Sequence, residues 1–329
     1  MRFLNLGRAA LSALALLAGA AVGPAAAQDA AASFPNKPIR VIVPFAAGGG
    51  NDIFARLVGQ KVGEILGQTL VIENRAAAGG RPAAEYVTQQ PHDGYTLFIG
   101  ASGVMSVAAA AFPNLAYHPT KSFVPLSMIA SFPLIVVIPI DHPAKNVKEL
   151  VEWAKKNPDK ANYASTSPAF ITATELLKLK SGMPGTMIPY KSSNEMILSV
   201  MQGQTLLAIS DGPPAMPMIK GGKVKAIAVT GDKRSEELPD VPSMAEAGFP
   251  EVNTKLWSGI FVGANTPAPI VAKLEAALRK AITDPEVSNK LKAMAVTPSG
   301  NASSEFRAMI DKDIATYQEV IKAANLKFN

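Results

Sequence analysis

The chain contains no cysteine. That excludes a disulfide framework, a thiol for lipid acylation, a catalytic thiol and a thiolate metal centre. Histidine is scarce too. His92, His118 and His142 each sit in a turn beside Asp or Pro, and no two have the helical spacing of a metal-ligand pair, so a zinc site is not expected. Charge of one sign is not concentrated either. The formal net charge is +6, of which Arg2 and Arg8 supply two, and the other lysines and arginines are spread along helical patterns. A nucleic-acid footprint would gather them on one stripe, and none is expected here. Long apolar runs are absent beyond Ala9 to Val22. With Arg2 and Arg8 before that run and Pro24-Ala-Ala-Ala27 after it, residues 1–27 read as a secretory signal cleaved after Ala27. The run is too short to anchor as a membrane helix, which needs about 20 apolar residues. A soluble, exported protein follows as the expectation, in the periplasm where the cell has two membranes.

The signatures of catalysis are also thin. A phosphate-binding P-loop would follow its glycines with Lys-Ser or Lys-Thr, whereas this loop ends Gly50-Asn51-Asp52. A dinucleotide site wants spaced glycines, and these are contiguous. Gly100-Ala-Ser102-Gly103 lacks the nucleophile-elbow pattern and an evident histidine partner, so an exported hydrolase would rest on Ser102 and Asp211 alone. No catalytic residue, metal or cofactor is expected.

Alternation of strand and helix is what the chain has in abundance. Ile39-Arg-Val-Ile-Val43 is an apolar strand that runs through Pro44 and Phe45 into Gly48-Gly-Gly50 and then a helical pattern from Ile53 to Leu66. Glycines there let successive N–H groups converge at a helix start, where the helix dipole adds a preference for anions of up to about 2 kcal/mol. Strands at 69–73 and 95–99 and a helix at 82–90 complete a first α/β unit. A second runs from the strand 134–140 to the strand 226–230. A strand at 257–262 and helices at 269–282 and 303–324 then need a sheet to cover, and the economical solution returns them to the first unit. The expected architecture is α/β with two lobes, each a mostly parallel sheet flanked by helices. Lobe 1 takes 34–132 plus 256–329, lobe 2 takes 133–255, and a cleft lies between them. Ligands of such sheets collect at the carboxyl ends of strands. Three polar corners of the second lobe lie there: Asn162-Tyr-Ala-Ser165-Thr166-Ser167, Ile188-Pro-Tyr190-Lys191-Ser-Ser193 and Ile209-Ser-Asp211.

The whole sequence after residue 33 resembles the Bug family of extracytoplasmic solute receptors, which serve tripartite tricarboxylate transporters. The resemblance rests on Phe34-Pro-Asn-Lys-Pro-Ile-Arg-Val-Ile-Val-Pro-Phe45, Gly48-Gly-Gly-Asn-Asp52, Val71-Ile-Glu-Asn-Arg75, Asp93-Gly-Tyr-Thr-Leu97, Pro189-Tyr-Lys191, Ala226-Ile-Ala-Val-Thr230, Leu238-Pro-Asp-Val-Pro242 and Asp284-Pro-Glu-Val287. It implies a type II-like periplasmic binding protein whose lobes close on a small carboxylate, aliphatic or aromatic. The likeness further implies delivery to the membrane subunits of such a transporter, action as a monomer, and no enzymatic activity. By that likeness, Phe45, Ala47, Gly48, Gly49, Gly50, Asn51 and Asp52 hold one carboxylate, with Ser102 in the same shell. Ser165, Thr166, Ser167, Tyr190, Lys191 and Asp211 hold the distal end. The chain departs from the family at Ser165-Thr-Ser-Pro-Ala-Phe-Ile171, which is shorter and more apolar than the family's segment. Phe170 there has two possible places, a flat cleft wall suited to an aromatic or longer acid, or the helix core. A rival reading keeps the fold but makes the protein a sensor partner that presents its ligand to a two-component system.

Overall fold

The computed structural model describes residues 33–323, so the expected signal segment, residues 1–27, lies outside the described residues. Two sheets organise the chain. The first has six strands in the order β11-β4-β10-β3-β1-β2. They are β1 (Ile39–Val43), β2 (Leu70–Asn74), β3 (Thr96–Ala101), β4 (Phe123–Pro133), β10 (Lys255–Gly263) and β11 (Thr297–Pro298). The second has five in the order β7-β6-β8-β5-β9, namely β5 (Ile135–Pro139), β6 (Tyr163–Ser165), β7 (Met187–Pro189), β8 (Leu207–Ser210) and β9 (Val224–Val229). Helices flank both sheets. They are α1 (Gly50–Leu66), α2 (Arg81–Thr88), α3 (Ala108–Ala111), α4 (Val147–Lys156), α5 (Pro168–Ser181), α6 (Ser193–Met201), α7 (Gly212–Lys220), α8 (Ala268–Ile282), α9 (Pro285–Lys292) and α10 (Ser303–Ala323). Among the described residues no helix is long and apolar enough to cross a membrane.

Both sheets are mixed, where mostly parallel ones were expected. β1 pairs in parallel with β2 and β3, but β10 pairs antiparallel with both β3 and β4. In the second sheet β6 is parallel to β7 and β8, while β5 is antiparallel to β8 and β9. The cause is the double crossing. β4 carries the chain out of the first sheet and, after Leu134 alone, becomes β5 of the second; β10 carries it back. Outgoing and returning segments lie side by side from Lys255↔Pro133 to Gly263↔Phe123, and neighbours of opposite direction must make an antiparallel ladder.

The returning segment is held by aromatic packing. The Phe261 ring lies 5.2 Å from that of Phe306 on α10, and Trp257 lies 5.0 Å from Phe306 edge to face. Trp257 Nε1 donates to Asp313 Oδ2 at 2.6 Å, which satisfies the one polar atom of that buried side chain. Gly259 is required beneath this cluster, because a Cβ there would overlap the Phe306 ring. We expect Phe306→Ala to destabilise the fold by about 3–5 kcal/mol, read from the shift in urea midpoint; a loss under 1 kcal/mol would show that α10 is seated by other contacts.

Candidate functional site

The turn from β1 into α1 lies where the two sheets' loops meet. Gly49 is the N-cap of α1 in extended conformation, and its carbonyl accepts from Asp52 and Ile53 N–H at 3.0 and 3.1 Å. Gly48 has φ +82, a left-handed conformation that a side chain would strain. The opposite lobe touches this turn directly. Ala46 N–H donates to Lys191 O at 3.2 Å, and Gly50 N–H donates to Ser193 Oγ at 3.4 Å. A Cβ on Gly48 would lie 3.5 Å from Asn194 Nδ2, and one on Gly50 would overlap Asp211 Oδ2. Bare glycine backbone thus lets the lobes close onto the start of a helix. The N–H groups of Ala47, Gly49 and Asn51 donate to no acceptor among the described residues.

Asp52 takes a different part from the one expected of it. Its side chain is buried and turned back under the turn, where Oδ2 accepts from Gly48 N–H at 3.0 Å and from Arg56 Nε at 3.0 Å. Oδ1 accepts from Arg56 Nη2 at 2.9 Å and Asn74 Nδ2 at 3.0 Å, and that same amide also donates to Phe45 O. Burial by itself would raise the carboxyl's pKa, but hydrogen bonds from Arg56, Gly48 and Asn74 outweigh it and hold the group below its ordinary value. Asp52 is therefore a fastening for the loop, saturated by its own lobe. Phe45 likewise packs its ring into the first lobe's core, and Asn51 accepts from Ser258 Oγ of β10.

Ser102 is also fastened. Its hydroxyl accepts from Trp257 N–H at 2.7 Å and donates to Trp257 O at 3.2 Å, so it locks the end of β3 to β10 and has no proton left to offer a ligand. A single turn of π-helix follows at Gly103–Val107. Such turns recur at functional sites, and Gly103 faces Ser167 of the other lobe.

The second lobe's corners are brought to the same junction, unequally. Ser165 is fully buried with its Oγ unpartnered. Ser167 caps α5 without a side-chain cap bond, and Thr166 and Pro168 stand over Gly79 of the first lobe. Tyr190 is half-buried, its N–H held by Ser165 O at 2.8 Å. Lys191 contributes its carbonyl while its side chain is exposed. Phe170 belongs to the hydrophobic core, the second of its two possible places. Asp211 is 2% exposed and lies against Gly50; burial pushes its pKa up to about 6 against hydrogen bonds from Ser193 and Ser210.

Asn194, Arg56 and Asn74 are residues that sequence reasoning passed over as site members, and Ser193 was read only as part of the polar corner at 188–193. Ser192 caps α6 by accepting from Glu195 N–H at 3.3 Å, a Ser-x-x-Glu signal that does mark where Ser193 and Asn194 begin the helix. Two histidines act as turn caps: His118 and His142 accept through Nδ1 from Thr120 and Ala144 N–H, whereas His92 accepts from Asn265 N–H across the lobe. Among the described residues no group of three or more His, Cys, Asp or Glu is placed to hold a metal ion.

We expect Asp52→Ala to cost about 1–3 kcal/mol, since it strips Gly48 N–H, Arg56 and Asn74 of a buried acceptor. Because the folded carboxyl titrates below its ordinary 3.8, its contribution is complete above that pH and fades as pH falls through the folded value. Urea unfolding of both proteins at pH 7 and pH 3 checks this: the gap should shrink at the lower pH.

The geometry can now be set beside known proteins. A family model described as "Tripartite tricarboxylate transporter family receptor" matches residues 54–326. Among solved structures, the periplasmic binding protein BugD is 31% identical with a TM-score of 0.86, over 89% of this chain and 99% of that one. MatC from Rhodopseudomonas palustris with bound malate is 31% identical at 0.84, over 88% and 100%. R. palustris Rpa4515 with adipate is 30% identical at 0.85, over 89% and 99%. Matched along most of its length and in fold, the chain belongs to the tripartite tricarboxylate transporter receptor family, the Bug-type solute-binding proteins, a family of receptors and not of enzymes.

Proposed function

We propose that the protein captures a small carboxylate in the periplasm and delivers it, as a monomer, to the membrane subunits of a tripartite tricarboxylate transporter. The reading takes 34–132 plus 256–329 as one lobe and 133–255 as the other, exported by cleavage after Ala27. The observation that carries it is the pair of unspent amides, Gly49 and Asn51, at the start of α1 with side chains of the second lobe packed against Gly48, Gly49 and Gly50; the unspent amide of Ala47 lies just ahead of them on an exposed residue. Amides at a helix N-terminus favour an anion through both hydrogen bonds and the dipole. Malate in MatC and adipate in Rpa4515 are both carboxylates, which supports the same class here. Ser165, with its unpartnered hydroxyl, Ser167, Thr166 and Tyr190 face the junction from the other lobe and are proposed to contact the rest of the solute.

A thermal-shift screen across linear dicarboxylates, hydroxy acids and aromatic acids tests this, with neutral and cationic compounds as controls. An acid at 100 times its Kd should add about 2.7 kcal/mol of stability, a shift of several degrees. Acids that never shift the transition would sink the reading. Gly49→Leu should abolish the response while leaving the unliganded midpoint within a few degrees, because a Cβ at 49 meets only ordinary contacts, Ser192 Cβ at 3.4 Å and Ser193 Oγ at 3.5 Å, whereas a longer side chain fills the junction.

A further inference from the structure

The carboxylate of Asp211 has no counter-charge. Among the described residues no lysine or arginine forms an ion pair with it; Ser210 Oγ donates to its Oδ1 at 3.3 Å, and Ser193 supplies a second hydroxyl. Ser193 Oγ also accepts from Gly50 N–H, so a relay runs from the first amide of α1, through a hydroxyl of the second lobe, to this acid. Oδ2 lies so close to Gly50 that a Cβ there would overlap it. The unspent amides of Gly49 and Asn51 flank Gly50 in the chain. A solute carboxylate held by those amides therefore shares its seat with Asp211.

The charged groups on the surrounding elements do not relieve that meeting. Asp52 and Arg56 on α1 are paired to each other. Lys191, ahead of α6, is exposed, and Glu195 on α6 accepts from Lys191 N–H. Lys220, at the far end of α7, pairs with Glu237. Lys225 on β9 donates to the carbonyls of His142 and Ala144. Lys292 on α9 is exposed, and that segment meets α7 through the Met294 carbonyl at Gly212. Two carboxylates in one dry seat do not both stay ionised; one takes a proton and donates it to the other.

Resting on the carboxylate reading above, we propose that Asp211 enters the occupied site as a neutral carboxylic acid, so that capture of a solute carboxylate takes up one proton from solution. The proton passes from solvent to a carboxylate oxygen of Asp211, whose O–H then donates to the solute; no covalent bond is made or broken. The free acid is already shifted toward this state by burial, with a pKa of about 6. The solute's charge raises it further, so affinity falls as pH rises above that value, by up to about tenfold per pH unit until the pKa of the complex is passed.

The test is calorimetric titration with malate, adipate and the strongest acids of the screen, from pH 6.5 to 8.5, where the solutes stay ionised. At pH 7.5 it is repeated in phosphate and in Tris, whose different ionisation enthalpies report proton uptake. The wild type should weaken at least tenfold across the range and take up close to one proton. Asp211→Asn, which donates through its amide at every pH, should give a flat profile, no uptake and tighter binding than wild type at pH 8.5. Binding with a flat wild-type profile and equal heats in both buffers overturns the proton linkage and leaves the carboxylate site standing. Failure of every acid to bind at any pH overturns the site itself, and the linkage with it.

Discussion

A backbone amide buried between two packed lobes must find an acceptor, and the segment from Phe45 to Asn51 is organised by that requirement. Ala46 and Gly50 find theirs on the opposite lobe, and Gly48 finds the Asp52 carboxylate beneath it. Two amides, those of Gly49 and Asn51, are left over at the N-cap and first turn of a 17-residue helix, while that of exposed Ala47 lies ahead of it. Leaving them unmade costs free energy, of order 1–3 kcal/mol for each buried group, and an anion recovers that cost. In the site proposed above, affinity would come from fixed dipoles instead of a cationic side chain. Nothing about it demands a particular carbon skeleton.

That division of labour follows from how the chain is threaded. The first lobe's loop is rigid because Asp52, Arg56, Asn74 and the Ser102–Trp257 lock all belong to one sheet and its helices. The second lobe is joined to it through β4–β5 and the segment returning to β10, so it presents its corners as a unit. Its glycine-facing groups, Ser193, Asn194 and Asp211, come from the starts of α6 and α7, next to strand ends. Closure therefore sets polar side chains of one lobe against bare main chain of the other. Glycine at 50, where a Cβ would overlap the Asp211 carboxylate, is what permits the approach.

Much of this was legible in the sequence. Helices α1, α8 and α10 differ from their expected spans by no more than three residues at either end, because their apolar spacing is regular. β4 was not legible. Phe123–Pro133 holds prolines at 125 and 133 and only two polar residues, Ser127 and Ser131, and Pro125 lies at a register shift between Ile260 and Phe261. Missing that strand hid one antiparallel neighbour of β10 in the first sheet, while in the second β5 was expected but its direction against β8 and β9 was not. At the junction, the sequence did not reveal which way the side chains point. Asp52 and Ser102 carry ligand-binding chemistry, yet Arg56 four residues on and Trp257 across the sheet claim it first, and only the second of those partners is remote in sequence.

The same logic orders the second lobe's polar groups by what each already does. Lys191 is the most cationic group near the junction, but its exposed side chain takes no part there; its carbonyl does. Phe170 is spent on the core. What remains is a short shell of hydroxyls, Ser193 against Gly49 and Ser167 against Gly103, together with the buried, unpartnered hydroxyl of Ser165 and one acid with no counter-ion among the described residues, Asp211. A shell of that kind discriminates solutes by where they carry hydrogen-bond donors and how much space they fill, and only weakly by net charge. On the reading proposed above, selectivity within the carboxylate class is written in the second lobe, and the first lobe's amides set the class.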